Sequence, residues 1–225
     1  MLGRVPSPGQ EVGAWRDAYL DALLARRAAE ARSVVAQARD EGLSVPDLYL
    51  QVFAPALHQV GHQWAMGELN VAEEHFATAV TQELLATLAA SMRVPPYGGR
   101  LAVVTGTPGE LHALGALMVG DFLQGDGWEV IQLGASTPAA DLAQLVDSER
   151  PDVVALSTAT TRSMPQVADV VKRLQALHPR PLIAVGGQLW TAQASRVAHQ
   201  LAVDIIARDP RMLVATLRDR VPALE

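Results

Sequence analysis

The chain has 225 residues, a formal net charge of −6 and no cysteine. Charges of both signs are interspersed, which argues against the basic patch that nucleic-acid binding requires, and the lack of thiols excludes disulfides and thiolate metal sites. No apolar run approaches the roughly 20 residues that span a bilayer, and the N-terminus lacks the apolar segment of a secretory signal. We therefore expect a soluble cytoplasmic protein that binds neither nucleic acid nor membrane.

The first part of the chain shows only helical patterns. Residues 13–39 are predicted to form two short helices separated by a break near Arg26–Arg27. A third helix is predicted over residues 44–66 and a fourth over residues 70–92. Apolar side chains recur at helical spacing in these segments. Ser44 before Pro46 is a typical helix start, and the stretch from Asn70 to Glu73 is another. Short connections between the helices predict a four-helix bundle over residues 1–93.

The rest of the chain alternates apolar strands with helices. Residues 93–99 (RVPPYGG) are a predicted linker, because their prolines and glycines cannot continue a helix. The predicted strands are Leu101–Thr105, Glu129–Leu133, Val153–Ser157, Leu182–Val185 and Asp204–Ile206, and the predicted helices are Leu111–Gln124, Pro138–Ser148, Pro165–Leu177, Trp190–Leu201 and Pro210–Val221. Uniformly apolar strands, each followed by a helix, predict a parallel five-stranded sheet covered on both faces. Residues 100–225 are therefore predicted to form a Rossmann-like or flavodoxin-like domain.

One histidine lies where such domains bind ligands. His112 follows the first predicted strand, in the turn between Glu110 and Gly115, so it projects from the carboxyl edge of the sheet. Neutral imidazole is a good ligand for transition metals, and a nearby carboxylate can fix its orientation. Two more loops reach the same edge, because Ser157 ends the third strand and Gly186–Gly187 follow the fourth.

Together these three loops resemble the cobalamin-binding domain of corrinoid proteins in which a protein histidine replaces the cofactor's own base. The resemblance covers residues 100–225 and rests on acidic-x-His-x-x-Gly, Ser-x-Leu and Gly-Gly motifs at the family's spacing. It implies that His112 is the lower axial ligand of cobalt and that Glu110, in place of the more common aspartate, orients it. It also implies that the displaced nucleotide tail lies against Gly115, Ser157, Gly186 and Gly187. The leucine of the family's Ser-x-Leu motif is Ala159 here, which implies a looser wall around the nucleotide tail.

A second motif lies in the helical part. Trp64 ends the third predicted helix and Glu74-His75 lie near the start of the fourth, so an antiparallel pair brings them to one end of the bundle. From spacing alone, the favoured explanation is a core tryptophan, a first-turn carboxylate and a surface histidine. The sequence resembles, however, the Trp-x9-Glu-His motif of CarH-type photoreceptors, which bind adenosylcobalamin between a four-helix bundle and the cobalamin domain. The resemblance implies that Trp64 covers the adenosyl group, Glu74 hydrogen-bonds its ribose and His75 lies alongside.

The chain departs from the CarH pattern in two ways. CarH-type regulators carry an N-terminal DNA-binding domain of the MerR type, for which this chain has no room before its first helix, so we expect a stand-alone form that does not bind DNA. The family's histidine that takes the upper cobalt position after photolysis is Ala65 here, and His62 or His75 are candidates to replace it. His58 and His62 share a helix face, but Gln59 excludes the zincin motif.

The resemblance implies a cobalamin-dependent light sensor that is not an enzyme. Photolysis of the cobalt–carbon bond is expected to change the domain arrangement, self-association as a dimer or tetramer, or binding to a separate output protein. Three alternatives stay open: a corrinoid carrier for methyl transfer, a passive cobalamin store or chaperone, and a photoreceptor that also binds a bilin such as biliverdin. Any bilin would be non-covalent, since there is no cysteine to form a thioether.

Overall fold

The computed structural model describes residues 8–190 and 201–223. The chain divides into two compact units, Met1–Ser91 and Met92–Glu225. The first unit is helical and the second contains a sheet. In the described ranges, no helix is long and apolar enough to cross a membrane. Most of the helix predicted over Trp190–Leu201 lies outside the described residues.

The first unit, as far as it is described, consists of four helical segments. These are α1 (Pro8–Leu24), α2 (Ala28–Asp40), a third segment formed by α3 (Val45–Asp47), a π-helix (Leu48–Phe53) and α4 (Ala54–Ala65), and finally α5 (Val71–Ala89). Arg26 ends α1 in the left-handed region with φ 58°. This is where the arginine pair predicted a break. The prediction of an all-helical N-terminal part with four helices is confirmed.

The π-helix is a feature that the sequence analysis missed. The amide of Ala54 donates to the carbonyl of Tyr49, five residues back, where a regular helix would use the residue four back. Pro55 explains the wider turn, because it has no N–H to donate and its ring would collide with the carbonyl of Gln51 in a regular α-helix. Pro55 was therefore the signal that could have predicted this irregularity.

Aromatic contacts build the core of the helical unit. The ring centroid of Phe53 lies 5.0 Å from that of Tyr19 and 5.9 Å from that of Tyr49. The Tyr19 hydroxyl hydrogen-bonds the hydroxyl of Thr81 at 2.9 Å, and Thr81 donates to the carbonyl of Ala77. Burial raises the pKa of Tyr19 well above its usual range, although the hydrogen bond with Thr81 lowers it. These contacts hold α1, the third segment and α5 in one core.

A capping box formed by Asn70 and Glu73 begins α5. The side-chain oxygen of Asn70 accepts from the amides of Ala72 at 2.9 Å and Glu73 at 3.1 Å, and the Glu73 carboxylate accepts from the Asn70 amide at 2.9 Å. Replacing Asn70 by alanine removes these acceptors, so we expect the free energy of unfolding to fall by about 1 kcal/mol. Urea unfolding followed by circular dichroism measures the change. Asn70→Asp keeps the acceptor and is the matched control; an equal loss in both variants would contradict the capping role.

A parallel sheet in the order β2-β1-β3-β4-β5 forms the centre of the second unit. The strands are β1 (Leu101–Gly106), β2 (Glu129–Gly134), β3 (Val153–Ser157), β4 (Leu182–Gly186) and β5 (Ile205–Ala207), and the described helices are α6 (Leu114–Gly125), α7 (Ala139–Glu149), α8 (Met164–Gln175) and α9 (Pro210–Arg220). The predicted five-stranded Rossmann-like class is confirmed. The strand order reverses between β1 and β3, which is the point where such sheets bind ligands. The pairing aligns Gly106, Ser157 and Gly186 at the carboxyl edge.

The predicted linker packs on the second unit. The amide of Val94 donates to the carbonyl of Gln124 at 3.3 Å, and the amide of Tyr97 donates to the carbonyl of Gly127 at 3.0 Å. Gly127 makes room for the tyrosine ring, since a Cβ there would lie 2.0 Å from Cε1 of Tyr97. We call residues 92–99 the docked segment. The boundary between the two units therefore lies at Ser91–Met92.

A buried ion cluster lies at the opposite, amino edge of the sheet. The side chains of Arg100 and Asp126 are each 4% exposed, and their closest ion-pair distance is 3.4 Å. Asp126 also accepts from Nε1 of Trp128 at 3.2 Å and from Nε of Arg218 at 2.8 Å. The Arg100 guanidinium lies over the rings of Tyr97 and Trp128, 5.1 and 4.8 Å from their centroids. The cluster joins the start of β1 to the turn after α6 and to α9.

Candidate functional site

His112 lies in the loop between β1 and α6, at the carboxyl edge of the sheet. The helix begins at Leu114, three residues later than predicted, because the loop before it is held by hydrogen bonds to Glu110. The His112 side chain is 54% exposed, whereas that of Glu110 is 1% exposed. An exposed imidazole oriented by a buried carboxylate is the arrangement typical of a metal-binding histidine.

Glu110 uses both carboxylate oxygens. Its Oε1 accepts from Nδ1 and from the backbone amide of His112. Its Oε2 accepts from the amides of Ala159 at 2.9 Å and Thr160 at 3.1 Å, in the loop after β3. Burial alone raises the pKa of Glu110, but the hydrogen bonds from His112 and Ala159 outweigh it and lower the pKa to about 2. A charged carboxylate therefore joins the loop of His112 to the next loop along the sheet.

The lowered pKa of Glu110 predicts a pH-dependent stability. Because this pKa lies below the ordinary value of 4.5, the carboxylate stabilises the fold fully above about pH 5, and the contribution is lost as the pH falls towards 2. We expect the stability difference between the wild-type protein and Glu110→Gln to shrink by about 2 kcal/mol from pH 7 to pH 3. Urea unfolding of both proteins without cofactor measures this, and Glu129→Gln, on the exposed first residue of β2, is the control. A pH-independent difference would contradict the assignment.

Close packing among the loops constrains three of the predicted site glycines, and it constrains Gly187 most strongly. A Cβ on Gly115 would lie 2.8 Å from Oγ of Ser157, and a Cβ on Gly187 would lie 2.4 Å from the carbonyl oxygen of Thr158. Gly187 also has φ +104°, a conformation that favours glycine. A Cβ on Gly186 would lie 3.1 Å from a backbone oxygen of β5. The sequence analysis attributed these glycines to a ligand's approach, and the structure gives a second physical reason for them.

Two threonines at this edge were not predicted. Thr107 and Thr158 are fully buried, and their hydroxyls lie 2.7 Å apart. They follow β1 and β3, which was the only sequence signal that they lie among the ligand-binding loops. The predicted residues Gly115, Ser157, Gly186 and Gly187 lie at the same edge as His112.

The residues predicted in the helical unit flank the short turn between α4 and α5. Trp64 lies in the last turn of α4 and is 48% exposed, so it is not a core residue of this unit. Glu74 lies in the first turn of α5, where its Oε1 accepts from the hydroxyl of Thr78 at 2.8 Å and its Oε2 lies 2.6 Å from Nδ1 of His75. Thr78 was missed by the sequence analysis, although its position one turn after Glu74 makes the contact possible.

Alanine occupies the last position of α4, directly after the exposed tryptophan. His62 and His58 lie about one and two turns before Ala65 on the same side of this helix. Both histidines are exposed. Although its side chain is exposed, partial loss of water around the ring lowers the pKa of His58. The helix therefore carries imidazoles on the stripe that ends at Ala65.

Residues 100–215 match a family described as the B12 binding domain, and residues 15–89 match a second family with the same description. The chain belongs to the B12-binding family. The predicted resemblance to a corrinoid-binding domain is therefore confirmed, and the two matches together cover both units.

Two curated relatives and one solved structure agree with this membership. The HTH-type transcriptional repressor CarH of Myxococcus xanthus is 33% identical over 195 residues, which are 85% of this B12-binding chain and 62% of the repressor. The dimethylamine corrinoid protein of Methanosarcina barkeri is 25% identical over 208 residues, which are 88% of this chain and 93% of that protein. The structure of the M. barkeri monomethylamine corrinoid protein has a TM-score of 0.80 at 16% identity and covers 94% of this chain and 99% of its own. The chain thus spans less than two thirds of CarH and shares its fold with corrinoid proteins.

Proposed function

We propose that this protein is a light sensor that binds adenosylcobalamin, with His112 as the lower ligand of cobalt. The observation that carries the proposal is the pairing of exposed His112 with buried, charged Glu110 at the switch point of the sheet. A carboxylate on Nδ1 fixes the tautomer in which Nε2 coordinates a metal. Imidazole nitrogen is a donor that suits transition metals, so the residues present fit a cobalt corrinoid.

The helical unit would supply the residues for the upper face of the corrin. Trp64 presents an indole ring that is 48% exposed, an apolar surface of the kind that covers an adenosyl group. The Glu74 carboxylate is oriented by Thr78 and lies beside His75, so it is an ordered acceptor for ribose hydroxyls. These features favour a covered upper face over the open face that a methyl carrier needs.

Bound adenosylcobalamin supplies a cobalt–carbon bond that visible light breaks. We propose that Trp64 and Glu74 lose their adenosyl contacts on illumination, which removes the interactions that favoured the dark arrangement. The surface around the α4–α5 turn would then change self-association as a dimer or tetramer, or binding to a separate output protein. The protein would act by signalling and not by catalysis, in line with the name of CarH as a repressor.

The test compares two cobalamins in the dark and after green light. The whole chain is loaded with adenosylcobalamin or methylcobalamin, and absorption spectra and size-exclusion profiles are recorded before and after illumination. We expect tighter binding of the adenosyl form and a light-dependent change in both spectrum and elution volume. Trp64→Ala should lose the preference for the adenosyl form. Val94→Ala, which truncates an exposed apolar residue of the docked segment, should keep it.

Two results would replace this proposal by its competitors. Tighter binding of methylcobalamin with no light-dependent change in elution would favour a corrinoid carrier. Equal binding of both forms, with no effect of light on assembly, would favour a passive store. A parallel titration with biliverdin tests the two-chromophore alternative through the appearance of a shifted bilin absorption band.

A further inference from the structure

Thr107 and Thr158 form a buried hydroxyl pair between the loops that follow β1 and β3. Both residues are 0% exposed and their Oγ1 atoms lie 2.7 Å apart. Neither loop needs this contact for its strand ladder, because the strands end at Gly106 and Ser157. A buried hydrogen bond between two loops holds them at a fixed distance, since separating them would remove the 2.7 Å contact and leave the Thr107 hydroxyl only its longer, 3.4 Å bond to the carbonyl of Ser157.

On one side the pair reaches the loop of His112. The amide of Glu110 donates to the carbonyl of Thr107 at 2.8 Å, and the amide of Thr107 donates to the carbonyl of Ser157 at 3.0 Å. Glu110 in turn holds Nδ1 of His112. A shift of Thr107 would therefore move the carboxylate that orients the imidazole.

On the other side the pair reaches the glycine loop after β4. The amide of Thr158 donates to the carbonyl of Gly186 at 2.9 Å, and its carbonyl accepts from the amide of Leu189 at 3.2 Å. Gly187 packs so closely that a Cβ would lie 2.4 Å from the Thr158 carbonyl oxygen. Thr158 is thus in contact with both neighbouring loops, and a shift of the glycine loop would move it.

We infer that the Thr107–Thr158 pair is a positioning element that couples the imidazole of His112 to the loop of Gly186 and Gly187. Seating a nucleotide tail against the glycine loop would then strengthen coordination by His112, and coordination would strengthen seating of the tail by the same factor. This inference rests on the proposed corrinoid site, but not on light sensing. Its physical element is the continuous chain of contacts from the imidazole through the two threonines to the glycines.

The experiment compares a corrinoid that has a nucleotide tail with one that lacks it. Aquocobalamin and diaquocobinamide are titrated by absorbance into the wild-type chain, Thr107→Val, Thr158→Val and the double variant. Valine keeps the shape of threonine and removes its hydroxyl. We expect each single variant to bind aquocobalamin about tenfold more weakly and cobinamide within about twofold of wild type. The double variant should bind aquocobalamin no more than about twofold more weakly than a single variant, because the two hydroxyls act as a unit.

Two controls separate positioning from general damage. Thr105→Val removes a different threonine contact, the partly buried 2.8 Å pair with Thr137 on the side of β2, and should leave the ratio of the two affinities unchanged. Thr158→Ser restores a hydroxyl and should restore the wild-type ratio. After chemical reduction of the bound aquocobalamin to its Co(II) form, the electron paramagnetic resonance spectrum of 15N-histidine protein should show a weaker histidine coupling in Thr158→Val than in wild type.

If the variants bound both probes equally more weakly, or if the losses of affinity were additive in the double variant, the inference would be overturned while corrinoid binding stayed intact. An unchanged affinity ratio in Thr158→Val would overturn it as well. If the wild-type chain bound neither probe, the proposed function would fail and the coupling with it. If wild type bound both probes but did not respond to light, the light-sensing proposal alone would fail.

Discussion

Replacing His112 by alanine is expected to weaken cobalamin binding by at least about 100-fold, because under the proposed function the protein loses the imidazole that coordinates cobalt at the lower face. The corrinoid that still binds should lack histidine nitrogen coupling in its Co(II) electron paramagnetic resonance spectrum. Glu110 should stay charged in this variant, since the amides of Ala159 and Thr160 still donate to its Oε2. The fold should therefore survive the substitution.

The measurement is an absorbance titration combined with resonance spectra of protein labelled with 15N-histidine. His178→Ala is the matched control, because His178 is an exposed histidine after α8 whose Nδ1 lies beside the carbonyl of the preceding residue, Leu177. A His112→Ala protein that kept the histidine coupling would transfer the lower ligand to another residue. Retained affinity without histidine coupling would show that the cofactor keeps its own base.

Replacing Asp126 by alanine is expected to lower the free energy of unfolding by about 3–5 kcal/mol, the range found when one partner of a buried ion pair is removed. The substitution leaves the Arg100 guanidinium 4% exposed without its carboxylate. It also removes the acceptor for Nε1 of Trp128 and the anchor of Arg218. The loss therefore exceeds that of any cap or surface pair in the protein.

Urea unfolding followed by tryptophan fluorescence measures this effect, since Trp128 reports on the site directly. Arg218→Ala is the control, because its side chain is 64% exposed and its pair with Asp126 should contribute only about 1 kcal/mol. Asp126→Asn keeps the size of the side chain but not its charge. Its loss of unfolding free energy should lie between those of Asp126→Ala and Arg218→Ala. A loss below 1 kcal/mol in Asp126→Ala would mean that the aromatic rings stabilise Arg100 without a counter-charge.

The sequence was sufficient to predict the sheet and the position of His112. Apolar runs such as Val153–Ser157 specify buried parallel strands directly, and a polar turn after β1 can only lie at the carboxyl edge. The resemblance to corrinoid-binding domains also implied the contact between Glu110 and His112. These features depend on short stretches of chain whose physical properties are readable one element at a time.

Other features depend on partners far apart in the sequence. The hydroxyl contact of Thr107 joins residues 51 positions apart, and the anchor of Asp126 by Arg218 joins residues 92 apart. A single threonine or aspartate carries no periodic signal that would identify its partner. The docked segment was missed for the same reason, since its prolines and glycines predict only that a helix ends. Its packing depends on the room that Gly127 leaves for Tyr97.

The docked segment also limits how far the helical unit can travel. Since α5 ends at Ala89 and the docked segment begins at Met92, only Ala90 and Ser91 lie between them. Two residues span at most about 7 Å when fully extended. Any change in self-association or partner binding then occurs with the two units still joined by this short connection.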